Sequence, residues 1–382
     1  MNLNLLRRID WLIDEDEFIQ IVGFTGNSSA LFGSSRNAIA VNKTGSPTNA
    51  GSRTVAGDAA YSVEQTRPDL VAPETWPSTA TPRVGSATIF LIDAARANPS
   101  LSNGSTTNRN GDSILNAERS EVIKATLMAG AERVTNNSHP TSDPVDIIDY
   151  RVAAVNQRDN GLDRRYGAGQ LNVYNSYHII AAGEQDSVEE NGTGNIASTG
   201  FDFDAAFGGS NGSNAQATYY FTTGSETVEF LVSLVWNVEI DPGRWSNFNQ
   251  AAVLYNLDLQ LFDVTGGGQV LVAESASVTE NNENIRAFLK AGTPHMLRIK
   301  QGAGQGNFRW DYALAWRTRI SGDVNGDGTI DVRDLSLFQQ AIIGDKQRDK
   351  QQRARADVYP AGGDGALDVS DLITMQQLVL AD

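Results

Sequence analysis

The feature that most constrains the fold lies near the carboxyl end, where oxygen-bearing side chains recur at fixed spacing in the segment GDVNGDGTIDVRDL. The residues at positions one, three, five, seven, nine and twelve of this loop are Asp323, Asn325, Asp327, Thr329, Asp331 and Asp334. Thr329 would contribute its carbonyl, and Gly328 occupies the sharp turn at position six. Hard oxygen donors at this spacing suit calcium, so the loop predicts a Ca²⁺ site. The alternative is a solvated acidic loop without a metal.

A second, looser copy of the loop follows in the segment ADVYPAGGDGALDVSDL. When Gly365 is aligned with Gly328, the residues at positions five, nine and twelve are Asp364, Asp368 and Asp371. Asp357 becomes the first ligand only if this loop carries a three-residue insertion, and Gly362 has replaced the asparagine. We expect a second Ca²⁺ site here, again with a solvated loop as the alternative.

Each loop leads into one apolar helix, at 335–343 and 372–380, and neither loop has an entering helix. This paired arrangement resembles type I dockerin modules, which dock onto cohesins. The resemblance implies a small all-α, EF-hand-like module over residues 321–382 and a cohesin-like partner. It also implies that loop positions ten and eleven contribute to partner choice, and these residues are Val332, Arg333, Val369 and Ser370.

A second informative segment is RPDLVAPETWPSTATPRV, at residues 67–84. Its prolines favour an extended approach, and the run rich in Ala, Ile and Leu after Ser78 predicts a buried helix. We expect Ser78 at the N-cap of this helix and Pro82 in its first turn. A serine there lies at the positive end of the helix, which favours a developing oxyanion. An ordinary N-cap serine is the alternative.

This segment resembles the nucleophile segment of subtilisin-like serine peptidases, and Ser78 aligns with the nucleophile. Upstream, FIQIVGFTGNSS and SRNAIAV resemble the family's strand, A-G-N turn and next strand, which makes Asn27 the candidate oxyanion donor. Downstream, SEVIKATLMAGA and YGAGQLNVYNSYHIIAAG resemble the following helix and the closing turn with its terminal helix. The resemblance implies an α/β peptidase domain over residues 1–185 that acts on protein or peptide substrates. Trp76 and Pro77 depart from the family's usual Gly-Thr.

The family carries its catalytic aspartate and histidine before the serine, whereas His139, His178 and His295 all follow Ser78 here. We expect His139 in an exposed loop, His178 half-buried in a helix and His295 on a strand of another domain. We therefore predict an N-terminally incomplete peptidase domain that is inactive alone. The chain would be either truncated or a genuine non-catalytic product.

From about residue 200 the hydrophobic pattern changes to a period of two. Two sets of apolar residues each share one strand face: Val228, Phe230, Val232, Leu234 and Trp236 in the first, and Tyr255, Leu257, Leu259 and Leu261 in the second. This alternation, with Gly- and Asn-rich connections, predicts an antiparallel β-sandwich over 200–320, joined by a polar linker at 186–199.

The segments VSLVWN, LYNLDLQLFD and LKAGTPHMLRIKQG resemble the jelly-roll domain that follows the catalytic domain in some subtilases and kexins. Four polar residues in this region, Asn256, Asp258, Glu283 and Asn284, could form turns and strand edges or hold a structural calcium ion. The sequence leaves both alternatives open.

Composition limits the function classes. A net charge of −16 argues against nucleic acid as a partner, since phosphate binding needs a basic face. No apolar run approaches about 18 residues, so no membrane span is predicted. We do not expect the amino-terminal segment MNLNLLRRIDWLIDEDEF to be a signal peptide, because Arg7, Arg8 and Asp10 interrupt any apolar core. It predicts an amphipathic helix leading into a strand at 18–22.

Two functional hypotheses remain for this multidomain chain. The first is a subtilisin-like serine endopeptidase, secreted in its presumed full-length form and attached to a partner by the dockerin-like module. The second is a non-catalytic extracellular binding or scaffold component, or a dockerin-bearing member of a polysaccharide-degrading assembly.

Overall fold

The computed structural model describes residues 3–23, 31–44, 59–62, 65–133, 150, 153–208, 214–225, 227–325, 329–342, 352, 355–359 and 367–381. Seven residues singled out from the sequence lie outside these ranges: Asn27, His139, Asp327, Gly328, Gly362, Asp364 and Gly365.

The amino-terminal part is a mixed α/β unit. Its elements are α1 (Leu3–Asp16), β1 (Ile21–Gly23), β2 (Ile39–Lys43), α2 (Ala59–Ser62), β3 (Leu70–Ala72), α3 (Pro77–Ala97), β4 (Ser105–Thr107), β5 (Ser113–Leu115), α4 (Ser120–Gly130) and α5 (Val173–Ala181). Strands β1, β2 and β3 form a parallel sheet in that order, with Ile21 opposite Ile39 and Val41 opposite Leu70. The predicted α/β class is therefore found in this part.

Helix α1 has the amphipathic character expected from its sequence. Leu6 and Ile13 are buried, and Leu6 packs in a cluster with Val238 and Phe248 from the loop that follows a later strand. Strand β1 begins at Ile21, three residues after the expected position. The amino-terminal helix therefore joins parts of the chain that are far apart in sequence.

Helix α3 differs from prediction in three respects. It begins at Pro77 with Trp76 as N-cap, so Ser78 is its second residue and not the cap. Pro82 lies inside the helix, beyond the first turn. One face of α3 packs on the sheet, but Ile89 and Phe90 are exposed, so the helix is half-buried. Proline is well suited to the first helical position because its missing N–H would have no partner there.

The expected closing turn packs against β3. The backbone N–H of Ala168 donates to the carbonyl of Asp69 at 2.7 Å, and the N–H of Val71 donates to the carbonyl of Gly169 at 2.9 Å. Gly167 has a φ of +56°, and a Cβ there would lie 2.2 Å from the carbonyl oxygen of Pro68. Only glycine fits so close to the neighbouring backbone, which explains the Gly-x-Gly pattern of this turn.

The second unit is an antiparallel sandwich of two four-stranded sheets. Its strands are β6 (Thr199–Phe207), β7 (Gln216–Thr222), β8 (Val228–Val235), β9 (Leu257–Asp263), β10 (Val270–Ser275), β11 (Asn282–Leu289), β12 (Pro294–Gln301) and β13 (Trp310–Ile320). One sheet has the order β10-β9-β12-β7 and the other β11-β8-β13-β6. The predicted alternation is borne out in the interior, where Phe230, Val232 and Leu234 face Leu257, Leu259 and Leu261.

Helix α4 lies between the two units, and all eleven of its residues are buried. It packs on β13 and β8, and Val122 belongs to one apolar cluster with Phe203 and Ala313 of the sandwich. The α/β unit and the sandwich therefore share one apolar core. Residues 186–199, which connect the two units along the chain, are predicted from the sequence to be a polar linker.

That segment lies along the sandwich edge. Glu189 accepts hydrogen bonds from the backbone N–H of Thr218 at 2.7 Å and from its hydroxyl at 2.8 Å. The N–H of Ile196 donates to the carbonyl of Tyr220 at 2.9 Å. These bonds satisfy edge groups of β7 that would otherwise be open to another chain.

The carboxyl-terminal module contains α6 (Val332–Ile342) and α7 (Val369–Ala381), which pack against each other. Both helices begin three residues earlier than expected, at the tenth loop position. Phe338 and Met375 are fully buried in a cluster that also includes Val324, Ile330 and Val358. Among the described helices, none combines the length and apolar composition that crossing a bilayer requires.

Candidate functional site

The first acidic loop closes on the carboxylate of Asp334, which is fully buried at the start of α6. Its Oδ1 accepts from the N–H of Asn325 and its Oδ2 from the N–H of Asp331, both at 2.9 Å. Asp323, at the first loop position, is also buried. The arrangement turns the loop around its last carboxylate, as an EF-hand-like loop requires.

The second loop repeats this geometry around Asp371. Its Oδ1 accepts from the N–H groups of Val358 and Tyr359 at 2.8 Å, and its Oδ2 accepts from the N–H of Asp368 at 3.0 Å. Tyr359 lies two residues after Asp357, as Asn325 lies two residues after Asp323. The two loops are therefore equivalent at both ends despite their different lengths.

The residues at positions ten and eleven lie at the beginnings of the two helices. Val332 and Val369 are 68% and 67% exposed, Arg333 is exposed and Ser370 is half-buried. The guanidinium of Arg333 pairs with Oδ2 of Asp331 at 2.6 Å. The module thus presents two matching surfaces, each next to an acidic loop.

Ser78 is exposed near the amino terminus of α3, just beyond the carboxyl end of β3. His178 is also exposed, rather than half-buried as expected, and its ring contacts Tyr174 and Tyr177 at 4.3 and 5.5 Å. His295 is buried on β12 in the sandwich, where burial lowers its pKa. Neither of these two histidines forms a hydrogen bond with Ser78 in the part of the chain described.

The Arg-Pro-Asp sequence before β3 forms a buried ionic network. Asp69 accepts from Arg67 at 2.8 Å through Oδ1 and from the N–H of Ala40 at 2.6 Å through Oδ2. The ammonium of Lys124 on α4 lies 3.6 Å from Asp69 and donates to the carbonyl of Arg36 at 3.0 Å. Burial lowers the pKa of Lys124 to about 8, and Asp69 opposes that shift.

The sandwich contributes to this network through the residues before β11. The carboxylate of Glu280 lies 3.5 Å from Arg36 and accepts a short hydrogen bond from the N–H of Thr66. The amide of Asn281 donates to the carbonyls of Arg36 at 3.0 Å and Trp236 at 2.8 Å. Sequence reasoning missed this contact, because nothing local in the sequence indicates which distant backbone groups these side chains bind.

Three of the four polar residues left open in the sandwich have ordinary partners, whereas the side-chain oxygen of Asn256 is buried and receives no hydrogen bond from the described residues. Asp258 pairs with Lys300 at 3.0 Å, and Asn284 accepts from the hydroxyl of Ser233 at 2.7 Å. Glu283 accepts from Ser277 N–H at 2.6 Å, and burial raises its pKa well above the usual range. The turn and strand-edge interpretation therefore accounts for these three residues.

Two groups of acidic residues meet away from the loops, at the junction of the two units. The first consists of Asp14, Glu121 and Asp311, and the second of Glu184, Asp186 and Asp202. In each group, one carboxylate oxygen per residue lies within 4.8 Å of the others. Sequence reasoning missed both groups, although the acidic run EQDSVEEN was a signal for the second.

Residues 321–380 match the dockerin type I domain. Dockerin type I domains bind calcium and attach to cohesins, so the predicted cofactor and the predicted dockerin module are confirmed. The match does not extend to the α/β unit or the sandwich. No curated protein matches this chain.

Three solved structures are similar to parts of the chain, all at low identity. Aeromonas hydrophila PliG, a periplasmic inhibitor of g-type lysozyme, is 9% identical, with a TM-score of 0.20, covering 33% of this chain and 94% of that one. The CBM51-2 and INT domains of Clostridium perfringens ZmpB are 12% identical, with a TM-score of 0.21, covering 44% and 33%. Tripeptidyl Peptidase 2 is 9% identical, with a TM-score of 0.22, covering 83% and 36%. These scores are too low to assign a shared fold.

Proposed function

We propose that this chain is a dockerin-bearing, secreted component that attaches to a cohesin-like protein through its calcium-loaded carboxyl-terminal module. The observation that carries the proposal is the repeated closure of two acidic loops on Asp334 and Asp371. Buried carboxylates with further oxygen donors around them suit Ca²⁺. The first-loop donors would be Asp323, Asn325, Asp327, Thr329, Asp331 and Asp334, and those of the second Asp357, Asp364, Asp368 and Asp371.

The partner surface would comprise Val332 and Arg333 on one helix and Val369 and Ser370 on the other. The ion pair between Arg333 and Asp331 joins this surface to the first loop. Calcium binding would therefore set the orientation of the guanidinium that the cohesin meets. The exposed valines provide matched apolar contacts at the two helix starts.

The test measures binding of the whole chain to a panel of type I cohesins by calorimetry, with calcium and with EDTA. We expect binding only with calcium, and a loss of about 100-fold or more, equivalent to about 2.7 kcal/mol, in the double variant Asp334→Ala/Asp371→Ala. Asp93→Asn is the matched control, because Asp93 is exposed on α3. Equal cohesin binding by the double variant and by the control Asp93→Asn, or cohesin binding that EDTA does not affect, would contradict the proposal.

A second candidate function is favoured by the position of Ser78. An exposed serine near the amino terminus of a helix that follows a parallel strand has the placement of a subtilisin-like nucleophile, which attacks a peptide carbonyl once an adjacent base activates it. In a subtilisin-like arrangement, Asn27 and backbone N–H groups would stabilise the oxyanion. The strand orders β10-β9-β12-β7 and β11-β8-β13-β6 support a jelly roll after such a domain. We propose this ancestry for residues 1–185 and 200–320.

The same proposal holds that this chain alone does not hydrolyse peptides. The histidines follow Ser78 in the sequence, and loss of the catalytic histidine in subtilisin lowers kcat by about 10⁶. A fluorophosphonate probe should leave the chain unlabelled. Labelling that disappears in Ser78→Ala but persists in Ser86→Ala, an exposed serine on the same helix, would show the inactivity to be wrong.

A further inference from the structure

The second acidic group lies where the α/β unit meets the sandwich. Glu184 and Asp186 follow α5, and Asp202 lies on β6. The backbone fixes this meeting point, because Gln185 N–H donates to the carbonyl of Phe201 at 2.9 Å and Glu184 N–H donates to that of Leu101 at 3.0 Å. The carboxylates are therefore brought together by main-chain pairing and not by side-chain mobility.

Asp202 is the most informative member, because its side chain is fully buried. Its Oδ2 accepts from the hydroxyl of Tyr219 at 2.6 Å, and that hydroxyl lies 2.7 Å from the hydroxyl of Tyr312. Its Oδ1 is also buried and receives no hydrogen bond from an N–H or hydroxyl group of any residue that the structure describes, although the carboxyl of Glu190 lies within hydrogen-bonding reach of the Asp202 carboxyl. The buried Asp202 carboxylate therefore needs either a proton shared with Glu190 or a bound cation.

The other members are held in place by amides. Glu184 accepts from the Asn116 amide at 2.8 Å and a short bond from the N–H of Asn103, and Asp186 accepts from the Asn103 amide at 2.5 Å. Glu190 completes the group; its Oε2 accepts from the hydroxyl of Ser187 at 3.0 Å. These hydrogen bonds hold the carboxylates in position without a bound ion.

Positive charge is missing from this group. Across the described ranges, no Lys or Arg forms an ion pair with Glu184, Asp186, Glu190 or Asp202. Burial raises the pKa of Asp202 well above its usual range and that of Glu190 to about 7, and in each case repulsion from a neighbouring acidic residue adds to the shift. Like charges enclosed together need a proton or a cation.

We propose that Glu184, Asp186, Glu190 and Asp202 form a site for a divalent, oxygen-seeking cation, with calcium as the best fit. The donors are all carboxylate oxygens, and one oxygen each from Glu184, Asp186 and Asp202 lies within 4.8 Å of the others, a spacing that a single ion at about 2.4 Å from each can bridge. The ion would fill the open position at Asp202 Oδ1. It would also join the segment after α5 to the first strand of the sandwich.

This site is separate from the dockerin loops and does not depend on them. Its ligands lie in two segments, residues 184–190 and strand β6, and the ion would stabilise the junction of the two units. A proton shared between Asp202 and Glu190 is the alternative that the experiment must distinguish.

The test is equilibrium dialysis of the whole chain against radioactive calcium, with the variants Asp202→Asn and Asp186→Asn. We expect each variant to bind one calcium ion fewer than the parent chain, or to bind that ion at least tenfold more weakly. Asp186 is only half-buried, so its variant decides the question if Asp202→Asn fails to fold. The exposed-site control Asp93→Asn should retain the parent stoichiometry.

Unchanged stoichiometry and affinity in Asp186→Asn would overturn the proposal and leave the shared proton as the explanation. Thermal unfolding gives a second readout: added calcium should raise the Tm of the parent more than that of either variant. Cohesin binding should be unchanged in both variants. Failure of the junction site is therefore distinguishable from failure of the dockerin assignment.

Discussion

The carboxyl-terminal module differs from the body of the chain, which comprises the α/β unit and the sandwich, in where the partners of its buried charged groups lie in the sequence. In the module, Asp334 and Asp371 bind backbone N–H groups within their own loops. In the body, Asp69 forms an ion pair with Arg67, two residues away, and with Lys124 on the distant helix α4. Glu280 of the sandwich forms an ion pair with Arg36 of the α/β unit. Because the contacts of the module lie within its own loops, the module can be recognised from the sequence. The contacts of the body join residues that are far apart in the sequence, so no short motif predicts them.

The body should respond most strongly to the loss of Asp69. Asp69→Asn leaves Arg67 and Lys124 buried without their shared carboxylate, and breaking such a pair costs about 3–5 kcal/mol. Urea denaturation should show this loss in a single transition, because the α/β unit and the sandwich share one core. Asp93→Asn should change the free energy of unfolding by less than about 0.5 kcal/mol. Separate transitions for the two units would contradict the shared core.

The substitution Asp311→Asn is expected to change the free energy of unfolding by a smaller amount than Asp69→Asn, and to raise it. Burial and repulsion from Glu121 raise its pKa in the folded chain to about 8, above its unfolded value. The stability that protonation provides is complete below the unfolded pKa and is lost as pH rises towards 8. This loss grows by up to about 1.4 kcal/mol for each pH unit between the two pKa values, and Asp311→Asn avoids it. We therefore expect the variant to be more stable than the parent by at least about 2 kcal/mol at pH 8.

The advantage of Asp311→Asn should shrink towards pH 4. The check is urea denaturation at several pH values in EDTA, where Asp93→Asn should follow the parent throughout. A constant difference between Asp311→Asn and the parent across that range would show that the carboxyl does not titrate as expected.

The smallest effect is expected at the module surface. Val332 and Val369 are almost equally exposed, so Val332→Ala should alter the free energy of unfolding by less than about 0.5 kcal/mol. Because the second helix presents a matching valine, cohesin affinity should fall by less than about tenfold in either single variant. Calorimetry of Val332→Ala, Val369→Ala and the double variant compares the two surfaces. A large loss in only one single variant would show that the surfaces are not equivalent.

The sequence predicts those features whose signals are local. The loop spacing around Gly328 and the alternation in β8 and β9 are examples, since each depends on neighbouring residues. The start of α3 was predicted wrongly because Ser78 is a good N-cap residue, but Pro77 already fits the first helical position. Of the group around Asp202, the sequence signals only the acidic run at residues 184–190. Its contact with Asp202 could not be predicted, because the two meet only after the sandwich packs on the α/β unit.

The burial of α4 has a consequence for how the chain can be divided. Each of its eleven residues is covered, on one side by the α/β unit and on the other by β8 and β13. A fragment cut at residue 186 would expose an apolar helix face to water, and the separated sandwich would expose the sheet that covers it. In amide hydrogen exchange, α4 should be among the last segments to exchange, and its protection would report the whole body at once.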